Sequence, residues 1–167
     1  MPELWDILDE NGNKTGRLHE RGKPLADGDY HLCVYVFIEN DKGEYLISKR
    51  TPNKIMPNMW ETTGGNAIAG EDSLTSALKE VKEELGITLD PQNGKIIKRD
   101  KQSGIDGKSN ISDIWLFKQN VDIQDVKLAP DETCDAMWAS RDKINQMIND
   151  GTFTSWELFT CIDDFLK

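Results

Sequence analysis

The strongest hydrophobic signal in the chain is Leu32-Cys33-Val34-Tyr35-Val36-Phe37-Ile38, a nearly continuous apolar run that predicts a centrally placed strand. Asn40-Asp41-Lys42-Gly43 turns the chain into a partner strand, Glu44 to Arg50. Upstream, Glu3 to Leu8 reads as a short strand that ends at Asp9-Glu10-Asn11-Gly12-Asn13, where Asn-Gly is a reversal signal. Arg17 to Tyr30 is polar and reads as a connecting arm. Downstream, Lys95 to Lys98, Ile111 to Lys118 and Ala136 to Ala139 are expected strands. Helical spacing appears at Ser73 to Leu85, with Ser73 or Asp72 as cap and Gly86 as stop, and again at Ser140 to Asn149 and Ser155 to Leu166. The pattern predicts a mixed α/β domain over residues 31–167 preceded by a strand and arm over residues 1–30.

Composition narrows the class. The 167 residues suffice for one domain with a real core, and 37% hydrophobic with 30% charged residues is a globular balance. Nowhere is an apolar run long enough to cross a bilayer, and Met1 to Asp6 is not a signal peptide, so a cytoplasmic address is expected. Cys33, Cys134 and Cys161 lack metal-site or disulfide spacing and read as reduced thiols in or near the core. The net charge of −10 repels a polyanion, which argues against a nucleic-acid polymer as partner. A small phosphorylated substrate fits, because metal ions screen acids gathered at one site.

The Ser73–Leu85 segment carries candidate chemistry. Leu74, Ala77, Leu78, Val81 and Leu85 form one apolar stripe, while Glu80, Glu83 and Glu84 share a second face about 120° away. Three acids near the C-terminal end of a helix repel one another and meet the negative end of its dipole. A hard divalent cation, Mg²⁺ or Mn²⁺, resolves that conflict. The plain alternative is a solvated acidic face neutralised by Lys79 and Lys82. Gly64-Gly65 upstream is read as a tight bend that turns a carbonyl toward the same ion.

The wider pattern resembles the Nudix box, Gly-x5-Glu-x7-Arg-Glu-U-x-Glu-Glu-x-Gly-U, with U a bulky aliphatic residue. Gly65, Glu71, Glu80, Val81, Glu83, Glu84, Gly86 and Ile87 match in register, and Lys79 stands where the family has arginine. Lysine keeps the charge but loses the planar fork. Trp5-Asp6, Asp9, Gly16, His31, Gly43, Arg50, Lys54, Pro57 and Trp60 resemble the branch that includes isopentenyl-diphosphate isomerase and its hydrolase-like relatives.

That resemblance implies an α/β/α sandwich with a mixed central sheet and an N-terminal hairpin or arm. It implies metal binding by Glu80, Glu83, Glu84 and the Gly64 carbonyl, with Glu71 supporting the loop and joining the metal network. It implies hydrolysis of a diphosphate linkage in a nucleoside diphosphate derivative or related compound, using Mg²⁺ or Mn²⁺. Glu83, Glu84 and Glu132 are candidates for the base, with Asp131 and Asp113 competing for the place of Glu132. His31, Arg50, Lys54 and Trp60 are candidate substrate contacts, each with a structural or surface role as its alternative. Two other readings stand beside the hydrolase. One is the isomerase, whose catalytic cysteine has no counterpart in Glu61 to Gly65. The other is a nucleotide-sensing domain without turnover, suggested by Lys79. A homodimer through the N-terminal arm is a further expectation.

Overall fold

The computed structural model describes residues 1–104, 107–154 and 163. Its strands are β1 (Leu4–Leu8), β2 (Lys14–Glu20), β3 (His31–Glu39), β4 (Tyr45–Arg50), β5 (Trp60–Glu61), β6 (Thr63–Asn66), β7 (Gly94–Gln102), β8 (Asn110–Lys118) and β9 (Thr133–Ala139). Its helices are α1 (Ser73–Leu85) and α2 (Arg141–Asn149).

β1 and β2 form a separate hairpin, and the other seven strands form one sheet with the path β5-β4-β3-β8-β7. β6 pairs along β3 and β9 along β4. β3 and β8 run parallel, from His31 opposite Asn110 to Glu39 opposite Lys118, while the remaining pairs are antiparallel. A parallel pair needs a long crossover, and the segment from Glu39 to Asn110 supplies it with α1 included.

Period-two alternation in β3 divides the core into two layers. Val34, Val36 and Ile38 pack against Ala77, Val81 and Leu85 of α1. Phe37 packs on the other side with Tyr45, Ile47, Ile114 and Leu116, against Ile144 and Met147 of α2. Val81 and Leu85 are fully buried, and each contributes about 1.5–3 kcal/mol of apolar transfer. The mixed sheet between two helical layers is the expected sandwich.

Local chemistry sets the helix ends. Asp72 caps α1 by accepting from Thr75 N at 2.7 Å. Ser73 is instead occupied by the Trp115 indole, which donates to its hydroxyl at 2.9 Å. Gly86 closes α1 in the left-handed region at φ 69, where a Cβ is strained. Ser140 caps α2 through Lys143 N at 3.1 Å.

Several sequence expectations are corrected. The arm begins as strand β2, whose residues are almost all exposed and so show no alternation. β7 runs on to Gln102 rather than ending at Lys98, because a charged sheet edge loses the apolar signal. Cys33 is buried, whereas Cys134 is exposed rather than near the core. Cys161 and the helix expected over Ser155 to Leu166 lie outside the described residues, Asp163 excepted. Asp163 pairs with Arg141. No helix among the described residues is long and apolar enough to cross a membrane.

The hairpin is tied to the sheet and to the loop before α1. Leu8 and Tyr30 exchange backbone hydrogen bonds at 2.8 and 3.0 Å, and Ala69 N donates to Leu4 O at 2.8 Å. Gly70 N donates to Asp6 Oδ2 at 2.8 Å, and Lys14 pairs with the same carboxylate at 2.9 Å.

Candidate active site

Gly64 and Gly65 are extended residues of β6, opposite Tyr35 and Val34 of β3. They are not the tight bend expected from sequence; what they supply is space. A Cβ on Gly64 would sit 2.7 Å from the Val34 carbonyl oxygen, and one on Gly65 would lie 2.5–2.7 Å from the Glu80 carboxylate. The missing side chain at Gly65 therefore lets α1 bring Glu80 against the β6 backbone.

Glu71 links the loop to the helix. Its carboxylate accepts from Lys79 Nζ at 2.5 Å and from Ile68 N at 3.4 Å. Burial acts against the Lys79 ammonium, yet Glu71, with Glu83 and Glu80 nearby, holds its pKa above the ordinary value. Lys79 thus holds the loop through one ammonium contact.

Glu80, Glu83 and Glu84 open on a cavity of about 630 Å³ shared with Glu3, Arg21, Lys54, Lys79 and Glu132. A neighbouring cavity of about 550 Å³ shares Lys54, Gly64, Gly65, Asn66 and Glu84 with it. Burial, reinforced by Glu80 and Glu61 and opposed by Lys54 and Arg50, pushes the Glu84 carboxyl up to about 8. Burial, then Glu83, pushes Glu80 up to about 7, with Lys79 pulling the other way.

The donor set is all oxygen, and its buried carboxylates lack enough positive charge nearby, which suits a hard divalent cation. The fit is not that of a finished cage: among the described residues, no three His, Cys, Asp or Glu side chains already converge as a ligand set. Mutual repulsion of the acids opposes such convergence.

Cations border the junction of the cavities. Arg50 donates from Nη1 to Glu61 Oε2 and from Nε to Ile55 O, both at 2.8 Å. Burial raises the Glu61 pKa, and Arg50 only partly offsets it. Lys54 pairs with Glu132.

Two expected substrate contacts lie elsewhere. His31 lines neither cavity. It is buried, stacks on Trp5 with ring centroids 4.2 Å apart, and has its pKa lowered to about 4 by burial, then by His19 and Arg21. Trp60 also lines neither; its ring packs against the α2-side core while its backbone bonds to Thr152 and Thr154. Asp113 is fully buried and held by Arg99 at 2.5 and 2.8 Å, and Asp131 is an exposed residue.

The cavities also contain residues that sequence reasoning did not single out. Glu3 and Arg21 come from the hairpin region, paired at 3.3 Å, and nothing local marks them. Asn66, Asp100, Gln102 and Ser112 line the smaller cavity. Of these, only the i, i+2 spacing of Asp100 and Gln102 hints at a common face.

Known proteins carry the same framework. The NUDIX domain family matches residues 29–159. An uncharacterized Nudix hydrolase of Listeria innocua is 37% identical over 153 residues, spanning 90% of this chain and 88% of that protein. A solved structure from Deinococcus radiodurans shares the fold with a TM-score of 0.76 at 18% identity, over 97% of this chain and 98% of its own. The MutT protein of Methanosarcina mazei follows at TM-score 0.66 and 26% identity, over 87% and 98%. A box in register, a sheet that seats its helix, and relatedness along nearly the whole chain agree: this protein belongs to the Nudix family and is a Nudix hydrolase.

Proposed function

We propose that the enzyme hydrolyses the diphosphate linkage of a nucleoside diphosphate derivative or a related small organic diphosphate, in the presence of Mg²⁺ or Mn²⁺. The observation that supports this is the sharing of Glu84, Gly64, Gly65 and Lys54 by two adjoining cavities, one of them lined by the α1 acids. A diphosphate at that junction leaves room on both sides for the groups it joins.

Glu80, Glu83, Glu84 and the Gly64 carbonyl would hold the cation, which when bound neutralises phosphate charge and acidifies water. Lys54 and Arg50 supply the remaining positive charge for the phosphates. Engagement of Lys54 by a phosphate loosens its pair with Glu132, freeing that carboxylate. The proton of the attacking water goes to a carboxylate of this cavity, and Glu83→Gln, Glu84→Gln and Glu132→Gln separate the three candidates. Glu71 and Lys79 act by holding the loop against the helix.

The test is a hydrolysis screen, read by separating the phosphorylated products, over nucleoside diphosphates, nucleotide sugars, dinucleotide cofactors and isoprenoid diphosphates, with Mg²⁺, Mn²⁺ or chelator. Metal-dependent cleavage, nearly abolished in a folded Glu83→Gln variant, is expected. Normal turnover in that variant removes the assignment.

One observation favours isomerisation of an isoprenoid diphosphate as a second reading: Cys33 lines the smaller cavity. Its thiol is pushed up to about 12 by burial and donates to Asn66 Oδ1 at 3.1 Å, which leaves it poorly suited to proton exchange. Solvent deuterium entering isopentenyl diphosphate without phosphate release is the result that favours the isomerase.

A further inference from the structure

The smaller cavity has a wall whose chemistry is set by strand register. Asn66 of β6 lies opposite Cys33 of β3. Cys33 lies opposite Ser112 of β8, and Ser112 opposite Asp100 of β7. Directly opposed residues share a sheet face, so these four polar side chains form one row across four strands, and all four line the cavity. Gln102, two residues beyond Asp100 on the same edge strand, extends the row.

Their hydrogen bonds show what the row offers. The Cys33 thiol occupies Asn66 Oδ1, leaving the Asn66 amide N–H groups without a partner among the described residues. Ser112 donates to Asn110 Oδ1 at 2.9 Å, which leaves its oxygen as an acceptor. Asp100 keeps acceptor capacity beside Lys98, which pairs with it at 3.4 Å and leaves its side chain 37% exposed. Gln102 offers both donor and acceptor. Tyr35 is the only aromatic residue among the described lining residues.

We infer that this cavity is the binding site for a sugar esterified to the diphosphate. Donors lie at Asn66 and Gln102 and acceptors at Ser112 and Asp100, on strands about 4.8 Å apart, and a sugar ring carries hydroxyls that serve as either. A nucleobase would call for stacking surface on its π-faces, and an isoprenoid for an apolar wall. Asp100, acceptor-only when ionised, is the residue that selects hydroxyl donors. Arg50 and Lys54, at the end of the cavity shared with Glu84, orient the substrate with its diphosphate toward α1 and its sugar toward β7.

This inference rests on the hydrolase reading only for the position of the diphosphate, and a binding assay separates the two. Titration calorimetry in Mg²⁺ would use ADP-glucose, ADP and isopentenyl diphosphate, with Glu83→Gln protein to suppress turnover. ADP-glucose is expected to bind at least tenfold more tightly than ADP or isopentenyl diphosphate. Asp100→Ala and Gln102→Ala, both on the sheet edge, are expected to remove that advantage. In kinetics on ADP-glucose, Asp100→Ala is expected to raise KM at least tenfold, with the loss falling on KM more than on kcat. Equal affinity for ADP and ADP-glucose, or full affinity for ADP-glucose in both variants, overturns the sugar site. Selective, Asp100-dependent binding by an enzyme that hydrolyses none of the probes upholds the sugar site and overturns the hydrolase reading.

Discussion

Adding one methyl group at Gly65 should separate catalysis from folding. The Cβ of alanine would stand 2.5 Å from Glu80 Cδ and 2.6 and 2.7 Å from its oxygens, whereas ordinary contact begins near 3.4 Å. The carboxylate must therefore retreat by about 0.9 Å. It can do so, because it ends a flexible side chain facing a cavity, and Gly65 is not among the residues with positive φ. Stability should change by less than about 1 kcal/mol. A displacement of ~1 Å in a positioned catalytic group costs on the order of 10²-fold in rate. Gly65→Ala should thus lose roughly 30- to 100-fold in kcat/KM and bind Mn²⁺ more weakly, while its melting temperature moves little. Gly64→Ala is the contrasting case. Its methyl group meets the Val34 carbonyl oxygen at 2.7 Å, a backbone atom held in the sheet, so the expected result is destabilisation by about 1–3 kcal/mol. Kinetics, Mn²⁺ calorimetry and thermal unfolding of the two variants decide the matter. Wild-type kcat/KM and Mn²⁺ affinity in Gly65→Ala, or its failure to fold, would refute the reasoning.

Lys79→Arg offers Glu71 two parallel donors in place of one ammonium; the expected gain is about 0.5–1 kcal/mol in urea unfolding, and an unchanged midpoint counts against that role. His31 has a folded pKa of about 4 against an ordinary 6.5, so the folded state disfavours its protonation. Its contribution is complete above pH 6.5 and lost as pH falls from 6.5 toward 4, up to about 3 kcal/mol; His31→Gln should flatten that part of the stability profile, and an unaltered profile would show that other groups cause it. Arg99→Met leaves the fully buried Asp113 without its partner, which should cost about 3–5 kcal/mol; adding Asp113→Asn should restore much of this in chemical denaturation, and no recovery would contradict the pairing argument.

Information carried within a few residues was legible without the fold. Leu74, Ala77, Leu78, Val81 and Leu85 specify a buried helical stripe by i, i+3 and i+4 spacing, and Asp72 and Gly86 specify its ends. The same short-range geometry places Glu80, Glu83 and Glu84 together, and the apolar run of β3 announces a central strand. Strand β2 and the far half of β7 escaped notice because exposed edges need no apolar alternation. For His31 the sequence leaves a phosphate contact and a structural role both open, and only the hairpin shows that Trp5 lies across its ring. Gly65 reads as a bend from sequence, and only the approach of α1 to β6 shows that its hydrogen leaves room for Glu80. The row Asn66, Cys33, Ser112 and Asp100 has no local signature at all, since it exists only through the pairing of four strands distant in sequence. Sequence by itself determined helix α1 and its acidic face, because helical neighbours are also near neighbours along the chain. The tertiary structure decided what surrounds that helix, because cross-strand register joins residues whose separation along the chain carries no trace of their contact.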